Sequence, residues 1–278
     1  MVTQAYTELS MSGDPKLRIG SALTDLGRGL RAWPFWTLVG WYDIKQRYRR
    51  TTLGPLWITA SMGILTAILG LIYGSIFHLP LANYLLYLAA GMVCWYFVSS
   101  TIMEGTTVFI TADGIIKQGA IPLSIHVYRV VWRNLIVLVH NAVVLAVVFL
   151  IFRSVTLLNP LLILAGIILL VMNLTVIVLI LGLVSTRFRD LPPLMSNIMQ
   201  VLFYITPILY QPSQLPASMT LIAYYNPFYH VIEVLRRPLI GEIPPIESYV
   251  GAIASLVIGS ALALALFQRF RGRIAYWL

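Results

Sequence analysis

Apolar residues in this chain form long unbroken runs. Each approaches the roughly 20 residues that a helix needs to cross a bilayer's hydrocarbon core. The runs lie at Leu56–Ile76, Leu85–Met103, Leu135–Phe152, Leu161–Val184, Leu194–Tyr210 and Tyr249–Phe267, and each predicts a transmembrane helix. The fifth is the weakest. It is short, holds Asn197 and Gln200, is interrupted by Pro207, and is divided from the fourth by Arg187, Arg189 and Asp190. No apolar run precedes residue 52 or so, so a cleavable signal peptide is not expected. The tail through about Lys16 is polar and is expected to be loose.

Composition agrees with lipid or buried protein as the surroundings. Of 278 residues, 59% are hydrophobic and 10% charged, against about 25% charged in soluble domains. The net charge of +9 does not imply a nucleic-acid partner, because the cations sit in the gaps between apolar runs. Sixteen Lys and Arg side chains fall in the N-terminus, the C-terminus and the second-to-third and fourth-to-fifth connections; the opposite side holds Arg153, Arg236 and Arg237. By the positive-inside rule both termini are cytoplasmic. The expectation is an all-α integral membrane protein with six transmembrane helices, N-in and C-in. Residues 1–29 form a cytoplasmic tail, 30–55 an amphipathic interface helix, and 56–278 the six-span domain.

Three segments are not plain spans. Leu30 to Arg50 reads as an interfacial helix with Pro34 in its first turn. Phe35, Leu38, Trp41, Tyr42, Ile44 and Tyr48 share one broad face with Lys45 and Arg49, while Trp36 and Val39 lie outside it. Two readings stay open: an anchor that sets orientation, or a surface where an anionic lipid gathers. The cytoplasmic segment 111–133 carries Asp113 as a helix N-cap candidate and Gly114, Gly119 and Pro122 as punctuation; it is either an amphipathic connector or a docking helix. The outward segment 211–248 is too apolar for full solvation and too short to span, so re-entrant or interfacial helices fit, with a break at Asn226-Pro227. Its Tyr224, Tyr225, Phe228 and Tyr229 suit an aromatic belt or the rim of a sugar-binding exit. Gly251, Ser255, Gly259 and Ala263 form a small-residue seam on the last span, and Gly70 and Gly74 a shorter one on the first.

Several chemistries have no residues to carry them. There is no Gly-Lys dipeptide and hence no phosphate-cradling loop. HExxH, GxSxG and DxD-like carboxylate pairs are lacking, and Cys94, alone inside an apolar run, offers no disulfide or CxxC metal site. Intramembrane polar residues are sparse: Glu104, His140, Asn141 and Asn173. Glu104 is expected to pair with a cation at the cytoplasmic boundary rather than carry a coupling proton.

These residues resemble a known family. The aromatic interfacial helix followed by Asp43-Ile-Lys-Gln-Arg-Tyr-Arg-Arg-Thr-Thr-Leu-Gly-Pro-Leu-Trp-Ile-Thr-Ala-Ser61 is similar to the permease subunit of type-2 ABC polysaccharide exporters. The O-antigen exporters are nearest, with capsule and teichoic-acid exporters as relatives. Ile121-Pro-Leu-Ser, Val130-Val-Trp-Arg-Asn134, Arg187-Phe-Arg-Asp-Leu191 and Tyr225-Asn-Pro227 extend the resemblance over most of the chain from about residue 30.

The resemblance implies a homodimer in the bacterial inner membrane, bound to two copies of a nucleotide-binding ATPase subunit. It implies no enzymatic activity and no cofactor in this chain; ATP and Mg²⁺ belong to the partner. The substrate would be a lipid-linked polysaccharide. Gly114, Lys117, Gln118, Ile121 and Pro122 become candidates for coupling to the ATPase. Arg47, Arg49 and Arg50 become candidates for the diphosphate head group. Tyr84, Tyr87, Trp95, Tyr96 and Tyr204, with the four outward aromatics at 224–229, become candidates for the glycan path. Two rival expectations are a related permease for a drug, haem or small lipid-linked compound, and a membrane enzyme of lipid-linked sugar metabolism. The second needs converging acids or histidines that the sequence does not supply.

Overall fold

Helices make up all the regular structure in the computed structural model, which describes residues 15–49, 54, 56–119, 121–152, 158–214, 216, 221 and 224–278. The described chain begins as a helix pair, α1 (Pro15–Arg31) and α2 (Trp33–Arg47). They separate at Ala32 because Pro34 has no N–H to give to the carbonyl of Leu30. The interfacial helix expected over 30–50 is therefore shorter, and a helix precedes it where the sequence suggested a tail. The inward face of α1 is Ala22, Asp25 and Gly29, small or acidic residues that leave no apolar signature. On α2 the chain-facing residues are Trp36, Gly40 and Ile44, whereas Phe35, Leu38, Trp41 and Tyr42 are exposed. Trp36, outside the predicted face, is the ring that packs inward, against Tyr128 and Trp132.

Among the described residues, five helices are long and apolar enough to cross a membrane: α3 (Leu56–Ile76), α4 (Leu81–Thr106), α6 (Ser124–Phe152), α7 (Pro160–Arg187) and α10 (Ile246–Phe270). Between α4 and α6 lie a 3-10 turn, Ile110–Ala112, and the one-turn helix α5 (Asp113–Ile116). The fifth predicted span is only partly realised. Helix α8 covers Leu191–Ile205, about 22 Å at 1.5 Å per residue, and the chain leaves helical geometry at Thr206 because a residue before proline is driven to extended backbone. After it come α9 (Pro227–Leu239), α10 and a terminal turn, α11 (Ile274–Trp277). Asn226 caps α9 by accepting from the Phe228 N–H at 2.9 Å, so the expected break at Asn226-Pro227 is present. Residues 222–223, in the first of the two short helices expected there, lie outside the described residues.

Helix α4 is the hub. Within its most apolar window 72% of residues are buried, against 17–39% in the other four long helices, so most other helices can reach it. Small residues set those approaches: a Cβ on Gly105 would meet Val178 Cγ2 at 2.7 Å, and one on Gly70 would meet Leu85 Cδ1 at 2.2 Å. The seam on α10 is likewise satisfied inside the chain, with Gly251 against the His230 ring and Gly259 against Val176. Asn173 adds a bond from its Nδ2 to the Ala252 carbonyl at 3.2 Å.

Candidate functional site

At the end of the bundle that carries α1, α2 and α5, two helices present charges one turn apart. Asp43 and Arg47 are on α2; Arg129 and Arg133 are on α6. Residues four apart share a helix face, and the two faces interlock. Arg129 grips Asp43 through Nε at 2.6 Å and Nη2 at 2.5 Å. Arg133 bridges, donating Nη1 to Asp43 at 3.0 Å and Nη2 to Glu104 of α4 at 2.6 Å. Arg47 Nη2 reaches the other Glu104 oxygen at 2.8 Å, and Asn134 Nδ2 donates to Glu104 at 2.8 Å. The expected pairing of Glu104 with a cation is thus present twice over. Partial burial opposes the charge on Arg47, but the Glu104 carboxylate beside it outweighs this and holds its pKa above the ordinary arginine value.

This network borders a cavity of about 430 Å³, lined by Arg47, Glu104, Arg129 and Arg133 on one side and by Thr107, Val108, Thr111, Ala112 and Ile115 on the other. His126 also lines it, and its buried Nε2 has no hydrogen-bond partner among the described residues. Of the three arginines singled out in the sequence, Arg47 belongs to this site and Arg49 is exposed; Arg50 lies outside the described residues.

The cavity wall continues into an exposed tip. Gly114, Ile115, Lys117 and Gln118 are exposed, Ile116 turns inward, and Ile121 and Pro122 are half-buried. Asp113 is not the N-cap expected from the sequence: it is already helical, makes no capping bond, and pairs with Lys117 at 2.9 Å. Gly119 ends the tip at φ +70° and donates to the Ile116 carbonyl at 3.0 Å, the left-handed helix stop that glycine adopts at least cost. From there the chain enters α6 under a cap supplied by another helix. Asp25 of α1 accepts from the N–H groups of Ser124 at 3.0 Å and Leu123 at 3.2 Å, and Ser124 Oγ donates to the Asp25 carbonyl at 2.8 Å. A buried carboxylate at a helix N-terminus satisfies free N–H groups and complements the dipole.

A second polar cluster lies at the opposite end. Residues 206–209 are non-helical yet buried and Tyr210 is half-buried, and the carbonyls of Pro207, Leu209 and Tyr210 are answered by side chains. Tyr84 Oη donates to Leu209 at 2.5 Å, Tyr87 Oη lies 3.2 Å from the Pro207 and Tyr210 carbonyls, and Arg236 Nη1 donates to Pro207 at 2.6 Å. Arg236 also stands 4.2 Å over the Tyr87 ring and is ion-paired with Glu233, both fully buried. Arg237 pairs with Glu233 at 2.6 Å and also with Glu242. Sequence reasoning counted Arg236 and Arg237 as loop charges and missed Glu233; the i,i+3 and i,i+4 spacing from Glu233 was the available signal.

The aromatic candidates divide by exposure. Tyr84, Tyr87, Trp95 and Tyr229 are buried within the chain, with the Trp95 ring tilted against Phe203 at 5.7 Å. Tyr96 and Phe228 are half-buried, and Tyr204, Tyr224 and Tyr225 are exposed. Among the described residues no three His, Cys, Asp or Glu side chains converge into a group that could hold a metal ion.

Two proteins of Klebsiella pneumoniae, each described as "O-antigen export system permease protein RfbA", are 27% identical to this chain over 237 and 238 residues. Each match spans 84% of this chain and 90% of the relative. The family model described as "ABC-2 type transporter" matches residues 35–240, which takes in most of α2, the charged network, the tip and α9. The chain therefore belongs to the ABC-2 type transporter family, as a multi-pass membrane permease.

Proposed function

We propose that this chain is the membrane-spanning subunit of an ATP-driven exporter of lipid-linked polysaccharide in the inner membrane. The observation that carries this reading is its similarity, over nearly its whole length, to O-antigen export permeases. ATP and Mg²⁺ are held by a separate ATPase, and two permease chains and two ATPases make the working assembly. Both termini face the cytoplasm. Helix α8 with the buried 206–209 segment serves as the fifth of six crossings, and α9 enters and leaves on the outer side.

In this reading the tip around Gly114–Gln118 meets the ATPase. It suits that role because its side chains are exposed while its base is fixed by Asp25 and by the burial of Ile116. Arg47, Arg49 and Arg50 lie near the substrate's diphosphate, and the exposed Tyr204, Tyr224 and Tyr225 offer rings to passing sugars.

The test is copurification with the proposed ATPase subunit, and ATP turnover of the complex with and without residues 114–118. Association that fails on removing the tip, with insertion intact, is the expected result. A chain that inserts but binds no ATPase overturns the reading.

A further inference from the structure

Where α7 and α10 end, the charges are arranged differently from those between α2 and α6. Residues 187–191 and 268–278 hold five arginines and one acid, Asp190. Arg47, Arg129 and Arg133 are paired with carboxylates, but Arg187, Arg189, Arg269 and Arg273 have no carboxylate partner among the described residues. All four are exposed. Two of them meet aromatic rings instead. Arg187 lies over the Trp277 ring at 5.9 Å, Trp277 leans on Phe270 at 5.5 Å, and Arg269 lies over Phe270 at 5.6 Å. A ring face attracts a cation without neutralising it, so the excess positive charge stays open to an outside anion. The ring pair is held in place. Ile274, fully buried, packs in one cluster with Phe267 and with Ala22 of α1, and Arg189 Nη2 donates to the Trp277 carbonyl at 3.2 Å.

The open side of α10 says which anion. Ile258, Leu262, Ala265 and Arg269 follow at spacings of four, three and four, which keep to one helix face, and all are exposed. Val250, Ile253 and Val257 widen the same open side. From Val250 to Arg269 the helix rises about 28 Å at 1.5 Å per residue, close to the ~30 Å of a bilayer's hydrocarbon. Acyl chains lying on this side therefore end in head groups at the level of Arg269. Trp277 and the exposed Tyr276 suit the same boundary. A second copy of the chain, related by a twofold axis through this corner, would bring the same excess of arginines and be repelled. A zwitterionic head group carries its own cation and leaves the excess in place, whereas an anionic one offers a phosphodiester that the guanidinium fork matches. We propose that this corner binds an anionic phospholipid of the surrounding leaflet. Its phosphodiester meets Arg187, Arg269 and Arg273, and its acyl chains lie along Ile258, Leu262 and Ala265. The site needs a membrane-spanning chain and is independent of what the chain exports.

The test uses the full chain in phosphatidylcholine nanodiscs carrying a minor share of phosphatidylglycerol, with bromine near the glycerol of one lipid or the other. Bromine quenches neighbouring tryptophan, and the part of the quenching that Trp277→Phe removes belongs to Trp277. The association constant read from that part should favour phosphatidylglycerol over phosphatidylcholine by roughly fivefold or more, about what one cation contributes at an anionic leaflet. Arg269→Gln combined with Arg273→Gln should bring the ratio close to one. Arg269→Lys combined with Arg273→Lys keeps the charge and should hold most of the preference. Salt gives a second reading on the parent chain that needs no substitution: the ratio should fall as ionic strength rises. A ratio near one in the parent at low salt overturns the site. So does a ratio that salt leaves unchanged, or one that persists in the glutamine pair while its thermal midpoint in pure phosphatidylcholine equals the parent's. Loss of the preference on adding inorganic phosphate at constant ionic strength would assign the corner to a free anion and overturn the lipid. Trp277 reached by neither brominated lipid would put a protein surface on the corner, which overturns it as well.

Discussion

Arg236 Nη1 donates to the carbonyl of Pro207 at 2.6 Å, tying the buried helix α9 to a buried, non-helical stretch of chain. Irregular backbone at depth is tolerated only where protein satisfies it, and Arg236 does so while neutralising Glu233 and covering the Tyr87 ring. Removing Arg236 leaves the fully buried Glu233 with Arg237 alone to balance it. Arg236→Met is expected to lower stability by about 3–5 kcal/mol, read as a fall in the thermal midpoint of the detergent-solubilised chain. Glu233→Gln combined with Arg236→Met should lose clearly less than Arg236→Met alone. A double variant at least as unstable as the single one would mean that the Pro207 bond, not the ion pair, dominates.

The Asp25 cap joins the N-terminal helix to the start of α6. Asp25→Ala should cost about 0.5–2 kcal/mol, as loss of a helix cap does. The cost should fall locally, on the descent from the tip. Amide exchange at 121–126 should accelerate while exchange in α4 stays unchanged. A uniform acceleration would instead assign Asp25 to global stability.

Most of the bundle could be read in advance because long apolar runs have few alternatives to a membrane span. Helix α3 has the predicted ends, Leu56 and Ile76. What escaped depended on partners distant in sequence. Asp43 and Arg129 lie 86 residues apart, and nothing in the spacing of either helix announces the other. The Asp25 cap joins residues 99 apart, and α1 hides its inward face among small side chains. Glu104 was legible because a lone acid at the end of an apolar run must find a cation. The aromatics were not: a tyrosine at the end of a span looks the same whether it faces a path or, like Tyr84 and Tyr87, bonds to a buried carbonyl.

Two glycines in the tip should respond in opposite directions. A Cβ at Gly114 meets nothing within 4 Å, and the position is helical. Gly114→Ala should therefore stabilise the turn by roughly 0.5–1 kcal/mol. Gly119 has equally open surroundings, but its φ of +70° makes alanine unfavourable by about 1 kcal/mol or more. ATPase association measured on both variants should hold or rise for Gly114→Ala and fall for Gly119→Ala. Equal losses at both positions would show that the partner touches the tip too closely to admit any methyl group.

Gly166 tests the depth of α9 in the bundle. A Cβ there would stand 2.6 Å from the Val234 carbonyl oxygen and 3.0 Å from Leu235 Cα, both backbone atoms that cannot swing aside. Gly166→Ala must push α9 away from α7, and α9 carries Glu233 and Arg236. The expected cost exceeds the ~1–3 kcal/mol typical of overpacking, because displacement also lengthens the Arg236–Pro207 bond. The two effects separate by additivity: contacts that share one displacement are not independent. Gly166→Ala placed on the Glu233→Gln, Arg236→Met background should therefore lose less than it does on the parent chain, in the same thermal measurement. Equal losses on the two backgrounds would mean that α9 shifts as a rigid body without disturbing Pro207.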